Sequence, residues 1–333
     1  MKKSTVSPAK PPRNHHIDAL KGVAIMLVVL GHSIQATVPN MDTNWLFCWI
    51  YSFHMPLFMF LSGYIAFGRN IDLRKKFRTL VIPFVVWYQI SYLLQSLLSH
   101  HFSPYWPFIY RWLISPDWGL WFLWVLFLNF CLLKFVRAVA NPSVWWSEPV
   151  VAAGVYLLLQ HPLVSAYGIG MASWYFAYFA LGYFYVQYAK YIIMKPYLKF
   201  VMLLAAPFVG LTWNRLGMPT FWPQLTQFFV ANHIPGITIF GHIYLTIVVP
   251  VVGIGATYIL VPKNGGNWYK YLCFLGMATF DIYVIHQNIL YGLGSGAVLV
   301  ATRFIFAISV SLAIAWVLRK SKIAAFLLLG SRG

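Results

Sequence analysis

Apolar residues are grouped along the chain into ten long runs, separated by short segments that hold charged residues, proline or glycine. An apolar helix of roughly 20 residues is long enough to cross the hydrocarbon core of a bilayer. The pattern therefore predicts an all-α integral membrane protein, a bundle of about ten transmembrane helices. The runs fall at about 20–37, 45–67, 80–98, 118–136, 149–165, 172–189, 198–213, 236–261, 271–291 and 298–318.

The composition agrees with this pattern. Of the 333 residues, 60% are apolar and only 9% are charged, and the mean hydropathy is +0.70. In soluble domains about a quarter of the residues are charged. A soluble fold could therefore not bury the apolar surface of this chain.

The net charge is +18, and the positions of the basic residues predict the orientation of the helices. Basic residues stand at the ends of the apolar runs and not in a patch interleaved with aromatics, which argues against nucleic acid as a partner. With the N-terminus in the cytoplasm, 21 of the 24 basic residues lie inside, and only Arg111, Arg215 and Arg303 lie outside. The positive-inside rule thus predicts that both termini are cytoplasmic. We divide the chain into a tail at 1–16, a transmembrane domain at 17–320 and a tail at 321–333.

The first predicted helix carries Asp18, Lys21 and His32. Lys21 and His32 are 11 residues apart, which is within about 20° of three full helical turns, so they share one face about 16 Å apart. A lysine at a helix end can simply snorkel to the surface and set orientation. An imidazole in the apolar zone indicates a functional site more often than an interhelical hydrogen bond.

The second helix places His54 at a depth similar to that of His32, next to Pro56, which can open the backbone. Ser62 and Gly63 follow, and close helix packing is the favoured interpretation of both.

A dense basic cluster comes before the third helix and consists of Arg74, Lys75, Lys76 and Arg78. Arginine and lysine bind phosphates well. Contact with anionic membrane lipids explains the same composition equally well.

The ninth helix contains Asp281, and His286 and Asn288 follow toward its outer end. Asp281 is predicted to lie in mid-span, where a carboxylate must be neutral, paired or in contact with water. Asp281 and Asn288 share a helix face, so a structural polar clasp between them is the alternative to a role in the reaction.

The sequence contains no Walker A motif, Rossmann glycine pattern, HExxH or CxxC motif. ATP hydrolysis and zinc catalysis are therefore unsupported, and we expect neither a metal ion nor a permanently bound cofactor. The cysteines at 48, 131 and 273 lie inside apolar runs and are expected to be buried thiols.

At these residues the chain resembles the membrane-bound acyltransferase 3 family, in particular its members that O-acetylate cell-surface or exported polysaccharides. The resemblance covers nearly the whole chain. The family motif is Arg or Lys, ten residues, then His, which Lys21 and His32 match, and Arg78 corresponds to a family basic residue. Matching segments lie at 17–22, 53–64, 78–83, 120–123, 174–183 and 280–286.

The resemblance implies ten helices, acyl-CoA as the donor and an acceptor outside the cytoplasm, in a bacterial inner membrane. We expect acetyl-CoA as co-substrate, a glycan or lipid-linked sugar as acceptor, and membrane lipids and polysaccharide assembly proteins as partners. In our hypothesis the basic cluster and Lys21 hold the CoA phosphates, and His32 acts as general base. His54 or His286 would orient the acceptor or stabilise the oxyanion, and an acyl-histidine intermediate is an alternative route.

The competing hypothesis is a proton-coupled transporter or flippase of a glycan or small metabolite, since intramembrane histidine and aspartate also mark proton relays. Transporters of that kind are often built from inverted repeats with paired broken helices. We find no repeat, and the polar residues concentrate on helices one, two and nine.

Overall fold

In the computed structural model the described residues are 13–102, 104–114, 119–161, 166–191, 195–214, 227–228, 231–232, 237–294 and 298–331. They contain helices and turns but no strand. The helices are α1 (His15–Thr37), α2 (Trp45–Tyr51), α3 (His54–Ala66), α4 (Leu73–Leu98), α5 (Tyr105–Ile114), α6 (Trp121–Val139), α7 (Ser147–Leu159), α8 (Ile169–Gln187), α9 (Pro196–Leu211), α10 (Phe240–Leu260), α11 (Asn267–Met277), α12 (Thr279–Gly292), α13 (Val300–Leu318) and α14 (Lys322–Leu329).

Six segments among these described helices are long and apolar enough to cross a membrane. They are α1, the pair α2 and α3 together, α4, α6, α10 and α13, while α7 and α9 are shorter apolar helices. Every predicted apolar run contains a helix, so the prediction of an all-helical protein with several membrane-spanning segments is confirmed. The count of ten crossings and the cytoplasmic termini stay predictions.

The second predicted helix is divided into α2 and α3 by residues 52 and 53. Phe53 has φ −144° and ψ −12°, which is outside the helical range. Pro56 explains the position of the break, since a proline ring clashes with the carbonyl four residues earlier, here that of Ser52. His54 thereby becomes the first residue of α3.

Prolines also explain two π-helical turns. The turn at Phe77–Val81 lies within α4 and precedes Pro83, and the turn at Tyr244–Val248 lies within α10 and precedes Pro250. A proline cannot donate to the carbonyl four residues before it, so that oxygen needs another partner. In α10 the freed carbonyl of Thr246 accepts a hydrogen bond from the Tyr178 hydroxyl.

Glycines allow the helices to cross closely around α1 and α3. A Cβ on Gly276 of α11 would lie 1.7 Å from the carbonyl oxygen of Asp18 on α1. On α3, a Cβ on Gly63 would lie 1.8 Å from the carbonyl oxygen of Phe179 on α8. In lipid the hydrophobic effect does not drive helices together, so helix association depends on close packing. Small residues allow that packing because they let two helix backbones come into contact.

The short helix α14 folds back onto α4. The indole Nε1 of Trp87 donates to the carbonyl of Leu328 at 2.7 Å. Gly330, with φ +57°, ends α14 so close to α4 that a Cβ would lie 2.4 Å from the carbonyl oxygen of Thr79. The residues after 320 that the structure describes thus pack against the π-helical turn that carries Arg78.

Candidate active site

A cavity of about 910 Å³ opens at one end of the bundle. We call the end at which α1 begins the near end and the end at which α1 finishes the far end. The cavity belongs to the far end, because its walls come from the last turns of α1, α2, α4 and α12 and from the first turns of α3, α6 and α8. Phe108 of α5 and Trp213, which follows α9, complete them. Its size falls in the range of about 300–1,000 Å³ typical of small-molecule sites.

His32 of α1 lies on the wall of this cavity. Its ring is 5.2 Å from the ring of His286, centroid to centroid, and the two planes are perpendicular. The ring of Tyr51 lies 6.4 Å away on another side. His32 therefore faces the cavity, and the rings of His286 and Tyr51 lie next to its imidazole.

His54 also lines the cavity, and the break before α3 is what brings it there. Its Nδ1 is 2.8 Å from the carbonyl of Ile50, and its ring packs 4.7 Å from that of Tyr51. A carbonyl can only accept, so Nδ1 carries the proton and the neutral ring keeps its lone pair on Nε2.

His286 lies behind His32 and is not part of the cavity wall. Its Nδ1 donates to the carbonyl of Ile282 at 2.9 Å. Its Nε2 is buried and has no hydrogen-bond partner among the described residues. Neutral His54 and His286 are therefore both set up to accept a hydrogen bond at Nε2.

Aromatic and amide side chains complete the wall, and most of them lie on segments that the sequence interpretation did not single out. They belong to six different helices and the segments that flank them, so no single sequence pattern joins them. Two signals in the sequence point to some of them: the segments at 120–123, 174–183 and 280–286 that match the family, and the amides placed inside otherwise apolar runs. The aromatic set is Tyr51, Tyr88, Trp121, Tyr175, Trp213 and Tyr283, and the amides are Gln35, Gln95 and Gln287.

The basic residues lie at the near end. Arg74, Lys75 and Arg78 at the start of α4 are exposed, whereas the Lys76 ammonium lies 3.6 Å from the centre of the Phe130 ring. Lys21 is half-buried on α1, three helical turns before His32. Among the described residues that line the cavity, none belongs to this basic group.

Asp18, one turn before Lys21, is buried and pairs with Arg13 at 2.5 Å. Its backbone carbonyl is the contact of Gly276 described above. Ser62 donates its hydroxyl hydrogen to the carbonyl of Phe58 in its own helix at 2.8 Å. Asp18 and Ser62 therefore bond to other groups of the helix bundle and lie outside the cavity.

Asp281 differs from the sequence prediction in its position and its partner. The ninth predicted helix is broken at Ala278, so Asp281 lies in the first turn of α12 and not in the middle of a span. It pairs with Arg319 just after α13, at 2.6 Å and 2.8 Å. Asn288 instead accepts a hydrogen bond from Ser91 of α4 at 2.9 Å, so the predicted clasp between Asp281 and Asn288 does not form.

The described residues contain no group of three histidine, cysteine, aspartate or glutamate side chains that could hold a metal ion. Around the cavity the arrangement offers proton acceptors, aromatic faces and amides, and at the opposite end it offers exposed cations.

Comparison with known proteins gives a family but no structural relative. No solved structure matches the chain. Over 187 residues the chain is 30% identical to nodulation protein NolL of Sinorhizobium fredii, which covers 53% of this chain and 49% of that protein. It is 26% identical over 187 residues to nodulation protein NolL of Mesorhizobium japonicum, with 53% and 48% covered.

The matched region thus spans about half the length of these two relatives. The family comparison reaches much further, because residues 14–320 match the family described as an acyltransferase domain. That range contains α1 to α13, the cavity and the basic cluster, and the chain therefore belongs to the acyltransferase 3 family.

Proposed function

We propose that this protein is a transmembrane O-acyltransferase, in which acetyl passes from cytoplasmic acetyl-CoA to a sugar hydroxyl on the other side of the membrane. The acceptor is a cell-surface or exported polysaccharide or its lipid-linked precursor, and the membrane is the bacterial inner membrane. The observation that carries the proposal is the place of His32 on the wall of the far-end cavity, while exposed cations occupy the near end of the same bundle. Membership of the acyltransferase 3 family supports it.

The proposal assigns the near end to the cytoplasm. The exposed Arg74, Lys75 and Arg78 then face the compartment that contains acyl-CoA, and the positive-inside rule favours the same orientation. The proposal includes ten crossings with both termini inside. The cavity then opens on the outer side of the membrane.

The donor has an anionic end and a reactive end, which matches the separation of the two groups. Lys21 and the exposed basic residues of α4 bind the CoA phosphates as point charges and bidentate partners. The pantetheine arm runs between helices toward His32, which lies about 16 Å farther along α1 than Lys21. The thioester thereby reaches the cavity while the nucleotide stays at the near end.

His32 supplies the base. It takes the proton from the sugar hydroxyl, whose oxygen attacks the thioester carbonyl carbon and forms a tetrahedral intermediate. The carbon–sulfur bond then breaks, the ester remains on the sugar, and the CoA sulfur takes the proton from His32. The products are the acetylated sugar and free CoA thiol, and His32 returns to its neutral form.

His54 and His286 differ in what they contribute. His54 lines the cavity and accepts a hydrogen bond at Nε2, so it orients a second hydroxyl of the acceptor. His286 holds the ring of His32 from behind and acts through it. Neutral rings of this tautomer offer no donor at Nε2, which favours these roles over oxyanion stabilisation.

The test is acetyl transfer in inverted membrane vesicles supplied with radiolabelled acetyl-CoA at the cytoplasmic face. We expect His32→Ala to lower transfer to lumenal glycan by about 100-fold or more, in the range of a lost general base. His242→Ala removes an exposed histidine of α10 and serves as the matched control. We expect Lys21→Ala to raise the KM for acetyl-CoA and Lys21→Arg to restore it.

Undiminished transfer by His32→Ala would exclude His32 as the base. Absence of label on every glycan tested, combined with proton-dependent uptake of a glycan, would favour the competing transporter hypothesis.

A further inference from the structure

The wall of the far-end cavity carries no permanent charge among its described residues. Its side chains are aromatic rings, amides, the Ser91 hydroxyl and small or apolar groups, together with the imidazoles of His32 and His54. We infer that the acceptor segment that enters this cavity is an uncharged sugar, and that uronates and other anionic sugars are excluded. This inference rests on the proposed function and names the acceptor class of the same site.

Moving an anion from water into the cavity costs free energy. A carboxylate leaves water with a large loss of hydration, which a nearby cation offsets most strongly, and no described residue of the wall is a lysine or an arginine. The faces of aromatic rings carry a negative potential and attract cations, so Trp121 and Tyr175 do not compensate an anion. Their rings pack 4.9 Å apart on the cavity wall and offer a broad apolar face instead.

The polar groups of the wall suit hydroxyls. The Tyr51 hydroxyl donates to the side-chain oxygen of Gln35 at 3.0 Å, and the Tyr283 hydroxyl donates to the carbonyl of Gly119 at 3.3 Å. The Tyr283 oxygen also accepts from the backbone N–H of Phe122. With its own hydrogen engaged, the Tyr51 oxygen can accept from a sugar hydroxyl, and the Gln35 amide nitrogen can donate to one. A neutral sugar has both hydroxyl donors and apolar C–H faces, so it matches both kinds of surface.

The proposed chemistry adds a second reason. His32 must be neutral to take a proton from the acceptor hydroxyl. A negative charge held beside an imidazole favours its protonated form, which cannot act as a base. An anionic acceptor would therefore increase the fraction of His32 that is protonated at a given pH and cannot act as a base.

The experiment uses the full-length protein in detergent and pairs of trisaccharides that differ only in charge. The two molecules of each pair are a neutral trisaccharide and the same trisaccharide with one terminal primary hydroxyl oxidised to a carboxylate. The methyl ester of that carboxylate is tested beside them as the third member of the set. Binding is followed by quenching of tryptophan fluorescence, since Trp121 and Trp213 line the cavity. Acetyl transfer to each member is measured separately.

We expect the carboxylates to bind at least about 10-fold more weakly than their neutral partners, a difference of about 1.4 kcal/mol, and the esters to recover the affinity. Equal or tighter binding of the carboxylates, or no binding of any neutral member, overturns the inference. Neutral preference in binding with no transfer to any member supports the inference and contradicts the proposed function, so the two failures are distinguishable.

A charge placed in the wall gives an independent check. Gln95→Lys introduces a cation into the lining, and His101→Lys introduces the same cation on the exposed surface beyond α4. We expect Gln95→Lys to reduce or reverse the preference for the neutral member and His101→Lys to leave it unchanged. An unchanged preference in Gln95→Lys contradicts the inference.

Discussion

The imidazole rings of His32 and His286 stand perpendicular to each other with their centroids 5.2 Å apart, and only His32 reaches the cavity. A hydrogen bond to the carbonyl of Ile282 fixes the orientation of His286. His286 can therefore influence a reaction in the cavity through the residues that it packs against, which are His32 and Tyr283.

We predict that His286→Phe, which keeps a ring but removes both nitrogens, lowers kcat by about 10- to 100-fold and leaves both KM values unchanged. Small displacements of a reacting group can cost that much. The pH profile of kcat should also move, which a purely structural contact would not cause. Ile285→Val, a change in the neighbouring buried residue, is the control and should leave the profile in place. An identical profile in His286→Phe would show that His286 only fills space.

The ion pair of Asp281 and Arg319 should stabilise the contact between the start of α12 and the end of α13. Asp281 is buried, so Arg319→Ala leaves a carboxylate without its cation, and we expect a loss of about 1–3 kcal/mol. Adding Asp281→Asn to that variant should restore part of the stability, because the unpaired charge disappears. Thermal unfolding in detergent measures both, with Lys320→Ala as the control. A second loss on adding Asp281→Asn would contradict this account.

The close crossing of α1 and α11 should tolerate no side chain at Gly276. A Cβ there would lie 1.7 Å from the backbone oxygen of Asp18, which cannot move without moving the helix. We expect Gly276→Ala to cost at least about 2 kcal/mol through overpacking. Gly154→Ala in α7 meets no atom within 4 Å and should be neutral or stabilising by about 0.5–1 kcal/mol. Similar melting temperatures for the two variants would refute the packing argument.

Docking of α14 against α4 should matter for donor binding, because the contacted turn carries Arg78. We expect Gly330→Ala, which brings a Cβ within 2.4 Å of the Thr79 oxygen, to raise the KM for acetyl-CoA and to leave kcat nearly unchanged. Gly68→Ala is the matched control, because Gly68 also has a positive φ but no atom lies within 4 Å of its added Cβ. An unchanged KM in Gly330→Ala would show that the docking of α14 does not affect donor binding.

The proposed orientation predicts which loops are accessible from outside. In a variant without the native cysteines, single cysteines at His101 and Leu299 should react with a membrane-impermeant maleimide in intact cells. Cysteines at Ser143 and Asn264 should react only after permeabilisation. If the expected labelling is reversed from one of the later positions onward, the proposed number of crossings before that position is wrong.

The sequence predicts the helical segments of this fold well, because each apolar run is long and its ends are marked by charge. The interruptions were harder to locate. Three of the interruptions are explained by prolines, which are Pro56, Pro83 and Pro250. A proline disturbs the helix several residues before its own position, so an uninterrupted run of apolar residues gives no sign of where the helix breaks. The break at Ala278 has no proline, and periodicity alone could not show it.

The candidate site was predictable only in part. Lys21 and His32 share a helix, so their spacing could be calculated from the sequence. The meeting of His32 with His286, and the choice of Arg319 as partner of Asp281, depend on how separate helices pack. Such contacts join residues that are far apart in the chain, and a single sequence contains no direct measure of them.

The hydrogen bond between Trp87 and Leu328 joins positions that are 241 residues apart. Helices that enter the membrane in order of synthesis cannot form this contact until the residues beyond 320 exist. A polypeptide interrupted at Lys320 would possess every apolar run and still leave part of α4 uncovered. Uncovered apolar surface is what degradation machinery acts on. Packing of α14 therefore links the survival of the protein in the cell to the synthesis of the residues beyond 320.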